Sequence, residues 1–198
     1  MEALIVVDVQ NDFCPGGALA VERGDEVVPV VNRIRGGHPR VVFTQDWHPK
    51  DHTSFASNNP GTEVFQTIQL LGQPQVMWPD HCVRESPGAE FRAGLDIRPD
   101  DPVFRKGELR EVDSYSAFLD NDQRHETGLR EFLQQQNVGQ LTVVGLATDY
   151  CVKFTVLDAR KFGFAVRVLR EGCRAVNMDP KDEERAYFEM EAAGAVLE

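Results

Sequence analysis

Apolar, β-branched runs recur along the chain with helical patterns between them. ALIVVDV (3–9), RVVFTQD (40–46), DPVFRK (101–106), LTVVGLA (141–147), AVRVLRE (165–171) and AGAVL (193–197) read as six strands, the best of them apolar enough to be buried on both faces. Between them, DEVVPVVNRIR (25–35), GLREFLQQQN (128–137), CVKFTVLDARKFG (151–163) and PKDEERAYFEMEAAG (180–194) carry apolar residues at spacings of three and four, and Asp179 followed by Pro180 predicts a helix start. Strand alternating with helix requires right-handed crossovers. The expectation is a three-layer, doubly wound α/β fold of about six mainly parallel strands, with helices on both faces.

Residues 47–100 break this rhythm, being rich in Pro, Gly, Asn, Asp and His with little sustained periodicity. A loop that long inside a compact domain is usually functional. Trp47, Phe55, Phe65, Trp78 and Phe91 within it predict a packed, site-forming region at about 46–100 rather than a disordered insertion.

The 198 residues suit one domain over 1–198 with a single well-buried core. A net charge of -11 argues against nucleic acid or an anionic membrane surface as partner, because both need clustered Lys and Arg. No apolar run approaches the roughly 20 residues of a membrane span, and MEALIVVDVQ has no basic leader or cleavage signal, so a cytoplasmic protein with a small-molecule ligand is expected. Parallel-sheet domains of this size often associate, which leaves a homo-oligomer open without singling out an interface. Cys14, Cys82, Cys151 and Cys173 are too scattered for a disulfide scaffold and fit a reducing compartment.

Three reactive side chains close strands that are far apart in sequence. Asp8 ends the first run, Lys106 the third, and Cys151 follows the fourth at a turn that opens a helix, where a thiol's pKa is expected to fall. Singly, each has an ordinary role: a turn-forming Asp, a solvated Lys beside Gly107, an inert core thiol. At one sheet edge they form an Asp–Lys–Cys set in which Asp8 can take the thiol proton and Lys106 favours the charged forms of both neighbours, the requirements of acyl transfer. A second constellation, Asp46, His48, His52 and His81, offers oxygen and imidazole ligands for Zn, Mn or Fe(II), and three protein ligands would leave positions open for substrate.

In order and spacing, VDVQNDFCPGGAL, TQDWHPKDHTSFAS, WPDHCV, FRKG and GLATDYCV resemble the nicotinamidases of the isochorismatase-like cysteine hydrolase superfamily, over nearly the whole chain. Isochorismatases proper lack the nucleophilic cysteine. The resemblance implies a catalytic triad of Asp8, Lys106 and Cys151 and metal ligands Asp46, His48 and His81. Ser54 matches a fourth, variable ligand position where some members carry histidine, and His52 is a weaker candidate. It also implies a cis peptide between Leu146 and Ala147, an oxyanion hole from the amides of Ala147 and Cys151, and a ring pocket lined by Phe13, Trp78, Tyr115 and Tyr150. Cys14, Cys82 and Cys173 are then structural thiols. The implied cofactor is one divalent metal ion, zinc first, with iron and manganese as alternatives. The implied reaction converts nicotinamide to nicotinate and ammonia through a thioester in NAD salvage, with pyrazinamide as a further substrate. Two other readings stand beside it: a cysteine amidase of the same superfamily acting on a carbamoyl or ureido compound, and a non-catalytic metal-binding protein.

Overall fold

The computed structural model describes residues 1–198. Its eight strands are β1 (Glu2–Val7), β2 (Val41–Asp46), β3 (Thr67–Leu70), β4 (Gln73–Val76), β5 (Val103–Lys106), β6 (Gln140–Leu146), β7 (Ala165–Arg174) and β8 (Val196–Leu197). The α-helices are α1 (Val27–Ile34), α2 (Leu129–Gln135), α3 (Lys153–Lys161) and α4 (Asp182–Ala192). Six strands form one sheet in the order β5-β2-β1-β6-β7-β8, and every neighbouring pair is parallel. The direction of winding reverses between β1 and β6. Right-handed crossovers on the two sides of that reversal place their helices on opposite faces, and the crevice at its carboxyl edge is where open α/β sheets bind ligands.

Side chains of β1 divide by parity, as the pleat demands. Ala3, Ile5 and Val7 join Leu129 and Leu133 of α2, Val156 of α3 and Met190 of α4 in one core. Leu4 and Val6 join Val27, Val28 and Val31 of α1 in the other. With both faces covered, five of the six β1 residues are buried, which is why the run reads as continuous rather than alternating hydrophobicity.

Three local expectations are corrected. Residues 47–100 contain an antiparallel hairpin, β3–β4, whose turn uses Leu71 (φ 50°) and Gly72 (φ 83°). It escapes a periodicity reading because TIQL and QPQV carry few apolar residues and Pro74 argues against a strand. Helix α4 begins at Asp182 rather than at Pro180, because Asp179 first closes a turn by accepting the Lys181 N–H at 2.9 Å and the Asp182 N–H on its carbonyl. Cys151 lies not at an α-helical start but inside a π-helical turn, Thr148–Val152, which precedes α3. Asp149 pins that turn by accepting the amides of Val176 and Asn177 at 3.0 and 2.8 Å. No helix is long and apolar enough to cross a membrane.

Candidate active site

The carboxyl ends of β5, β2, β1 and β6, four adjacent strands, deliver the reactive groups. Asp46 and Lys106 are direct register partners, and Asp8 and Ala147 immediately follow β1 and β6. Asp8 takes a left-handed conformation (φ 47°), one that Asp tolerates better than most residues, and this turns the chain out of the strand.

Lys106 is the hub. Its buried ammonium donates to Asp46 Oδ1 at 2.5 Å, the Ser114 carbonyl at 2.9 Å and Cys151 Sγ at 3.3 Å, which uses all three of its protons. Asp8 Oδ2 lies 2.9 Å from the same nitrogen as an ion pair but receives no aligned hydrogen bond, while Oδ1 accepts from the Thr44 hydroxyl at 2.6 Å. One carboxylate oxygen of Asp8 is therefore buried beside the ammonium without an aligned donor. The thiol is close at hand, since ligand atoms of Asp8, Asp46 and Cys151 all fall within 4.8 Å of one another.

Electrostatics correct the expectation of a lowered thiol pKa. Burial pushes the Cys151 thiol well up, and the carboxylates of Asp8 and Asp46 push the same way against Lys106. A helix start does not outweigh desolvation here, and burial favours the protonated thiol. Burial also raises Asp8, with Asp46 adding to it against Lys106. Burial alone would lower Lys106, but Asp46 and Asp8 outweigh it and hold the ammonium charged. Burial would raise Asp46, yet Lys106 and His48 hold it well below the usual carboxylate range. The other cysteines are buried, unpaired thiols, with Cys14 pushed up to about 11 and Cys173 to about 12 by burial.

Beside this hub, Asp46 Oδ2 lies 3.3 Å from His48 Nε2 and 3.7 Å from His81 Nε2. Each imidazole is oriented from behind, His48 Nδ1 donating to the Gly107 carbonyl at 3.0 Å and His81 Nδ1 to the Pro79 carbonyl at 2.8 Å. That tautomer turns the Nε2 lone pairs toward Asp46, as a metal site requires. Burial would lower His48, but Asp46 outweighs it and raises the imidazole, so a proton is drawn to a place a divalent cation would fill. These residues fit a divalent ion with nitrogen and oxygen ligands. Gly107 (φ 66°) is required twice over, since a Cβ there would also run into the His48 ring.

His52 lies apart from Asp46 and His81 and groups with His48 and Asp113 instead. Its Nε2 faces the Val112 carbonyl at 3.3 Å, its Nδ1 accepts from the Ser54 hydroxyl at 2.7 Å and amide at 3.2 Å, and burial lowers it to about 4. With both nitrogens engaged, its ring packs 4.4 Å from that of His48 instead. Ser54 is buried and spends its proton on His52, which leaves its oxygen lone pairs uncommitted.

Phe13, Trp78, Tyr115 and Tyr150 line one cavity with Ala147 and Cys151, and it also touches Asp46 and His81. Trp78 stands edge-on to Tyr150, with ring centroids 4.8 Å apart, and donates its indole N–H to the Tyr115 hydroxyl at 3.2 Å. The Leu146–Ala147 peptide is cis. Two site residues carry no sequence signal. Asp113, also in the cavity wall, accepts from Gln75 of the hairpin at 2.8 Å. Gln10, fully buried, accepts the Asp46 N–H and donates to the Asp46 and Ala89 carbonyls, all at 2.8 Å. Both are polar residues in irregular segments, where no periodicity marks which side chains face inward.

An open α/β sheet carries a thiol, a lysine and a carboxylate at its switch point, and the chain belongs to the isochorismatase family: the isochorismatase domain model matches residues 2–198. Among its relatives is the nicotinamidase of Escherichia coli, 51% identical over 199 residues that cover 98% of this chain and 93% of the relative. A nicotinamidase/pyrazinamidase structure from Acinetobacter baumanii superposes with a TM-score of 0.96 at 43% identity, covering 99% of this chain and 94% of its own. A Pyrococcus horikoshii pyrazinamidase solved in complex with zinc superposes with a TM-score of 0.81 at 36% identity, covering 100% and 98%.

Proposed function

We propose that this chain is a metal-dependent nicotinamidase that converts nicotinamide to nicotinate and ammonia in NAD salvage, working as one hydrolase domain. The observation that carries the reading is the Lys106 hub, which sets a protonated thiol against a carboxylate oxygen with no other donor, at the floor of an aromatic slot. The chemistry follows from those groups. Asp8 takes the thiol proton as Cys151 sulfur attacks the carboxamide carbon, and the amides of Ala147 and Cys151 receive the developing oxyanion. Asp8 then returns the proton to the departing nitrogen, the C–N bond breaks, ammonia leaves and a thioester remains. Asp8 next deprotonates a water, which attacks the thioester carbon, and the sulfur leaves and regains its proton. Lys106 stays charged throughout and offsets the negative charge that passes among Asp8, Asp46 and the sulfur. The aromatic walls exclude bulk water and hold a flat six-membered ring. Asp46, His48 and His81 would hold one divalent ion, whose chemistry is to coordinate the ring nitrogen of the substrate; zinc is the first choice, supported by the zinc-bound relative.

Ammonia release by the purified chain should be measured on nicotinamide, pyrazinamide and a ureido compound, with metal analysis of the same sample. The expected result is release from both heteroaromatic amides by a metal-loaded enzyme. No release with metal supplied would sink the proposal, and an active, metal-free enzyme that prefers the ureido compound would favour the carbamoyl or ureido reading. His48→Ala should cost more metal affinity than the roughly 100-fold that loss of a supporting partner can cost. Wild-type metal content in that variant would remove His48 from the ligand set.

A further inference from the structure

We propose that Asp12 is a positioning residue for the metal site, one that holds the backbones of His81 and His48 in register with the loop that carries Asp8. The inference rests on the metal reading above.

Asp12 lies four residues after Asp8 in the turn that leaves β1. Its Oδ2 accepts the Cys82 N–H at 2.8 Å, the amide of the peptide that joins His81 to Cys82. Its Oδ1 accepts the Ala18 N–H at 3.1 Å, so the two oxygens serve two donors. The next peptide continues the chain of contacts: the Cys82 carbonyl accepts the His48 N–H at 3.0 Å, and the His48 carbonyl accepts the Arg84 N–H at 2.8 Å. Cys82 adopts φ 45°, a conformation rare for a non-glycine residue, and the Asp12 carboxylate satisfies its amide there. Segments 47–48 and 81–84 are thus stitched to each other and, through one carboxylate, to the Asp8 loop. Asp12 itself is absent from the cavity lining and from the metal-ligand set.

Gly88 supplies the second observation. A Cβ at this position would fall directly on the Asp12 carboxylate. The loop after the metal histidine therefore packs its backbone directly against that carboxylate.

Gly88→Ala, which changes no polar group, should displace the Asp12 carboxylate, whose atoms are the nearest that the new methyl would meet. The test uses the full chain stripped of metal, with Zn²⁺ affinity measured by chelator competition and Cys151 reactivity by iodoacetamide. Asp12→Ala and Gly88→Ala should each weaken Zn²⁺ binding by about 10–100-fold, the usual cost of losing a group that orients a ligand, while the Cys151 alkylation rate stays unchanged. The double variant should bind no more weakly than Asp12→Ala. Wild-type Zn²⁺ affinity in a folded Asp12→Ala chain, or additive losses in the double variant, would overturn the assignment. So would failure of both single variants to fold, which would make the loop a folding element instead. A wild-type chain that binds no Zn²⁺ would instead remove the metal reading itself.

Discussion

Cys151→Ala should lower ammonia release from nicotinamide by about 10⁴-fold or more while leaving the metal bound, as removing the nucleophile of a catalytic triad generally does. Cys151 is the only cysteine in the cavity lining, and the remaining three are buried elsewhere, so no second thiol can substitute. The metal should stay because Asp46, His48 and His81 are positioned by β2, Gln10, the Asp12 carboxylate and the carbonyls of Gly107 and Pro79, none of which involves the sulfur. Turnover within tenfold of wild type, on the scale where about 1.4 kcal/mol of barrier is tenfold in rate, would refute the nucleophile. Loss of metal together with activity would show that the two centres cannot be separated.

Lys106→Met should abolish turnover and also destabilise the fold, by about 3–5 kcal/mol, because removing one partner of a buried ion pair strands the other charge. Two carboxylates, Asp8 and Asp46, would be stranded here, both buried and both facing the lost ammonium. For a chain of this size that corresponds to a fall in Tm of about 10 °C. The effect has a definite pH dependence. Asp46 is held below the ordinary value of 3.8 in the folded state, so its pairing stabilises the fold above that value and is lost as pH falls through the lowered one. The variant lacks that contribution and can relieve its stranded charges by protonation. The gap in stability between wild type and variant should therefore be wide at neutral pH and narrow toward acid. Thermal melts across pH measure it, and a pH-independent gap, or none, would contradict the role given to Lys106.

Both predictions turn on a hub that was only partly legible in the chain. Asp8, Lys106 and Cys151 could be placed at one sheet edge because each closes an apolar run, and a parallel sheet carries all its strand ends of one polarity to one side. Asp46 could be read as a metal ligand from its spacing to His48, but not as the closest partner of Lys106. That contact comes from β2 and β5 being neighbours in register, a long-range pairing with no local signature. The thiol shows the same divide: a turn position suggested a lowered pKa, whereas burial among two carboxylates raises it. His52, the weaker ligand candidate in the sequence, hydrogen-bonds with Ser54 and Val112 and groups with His48 and Asp113, an arrangement set by side-chain contacts.

By itself, then, the sequence determined the alternation of strands and helices, the acidic surface, the three reactive groups at strand ends and the aspartate–histidine pairs, because periodicity and strand polarity are local properties of the chain. Tertiary structure alone decided the strand order, the β3–β4 hairpin, the roles of Gln10, Asp12, Thr44 and Asp113, and the state of every buried charge. These depend on which segments meet in space, and on the desolvation that follows from their meeting. The setting of Cys151 follows the same divide: its position at a turn brings it to the sheet edge, and only the fold sets it beside the buried Lys106 ammonium and the Asp8 carboxylate.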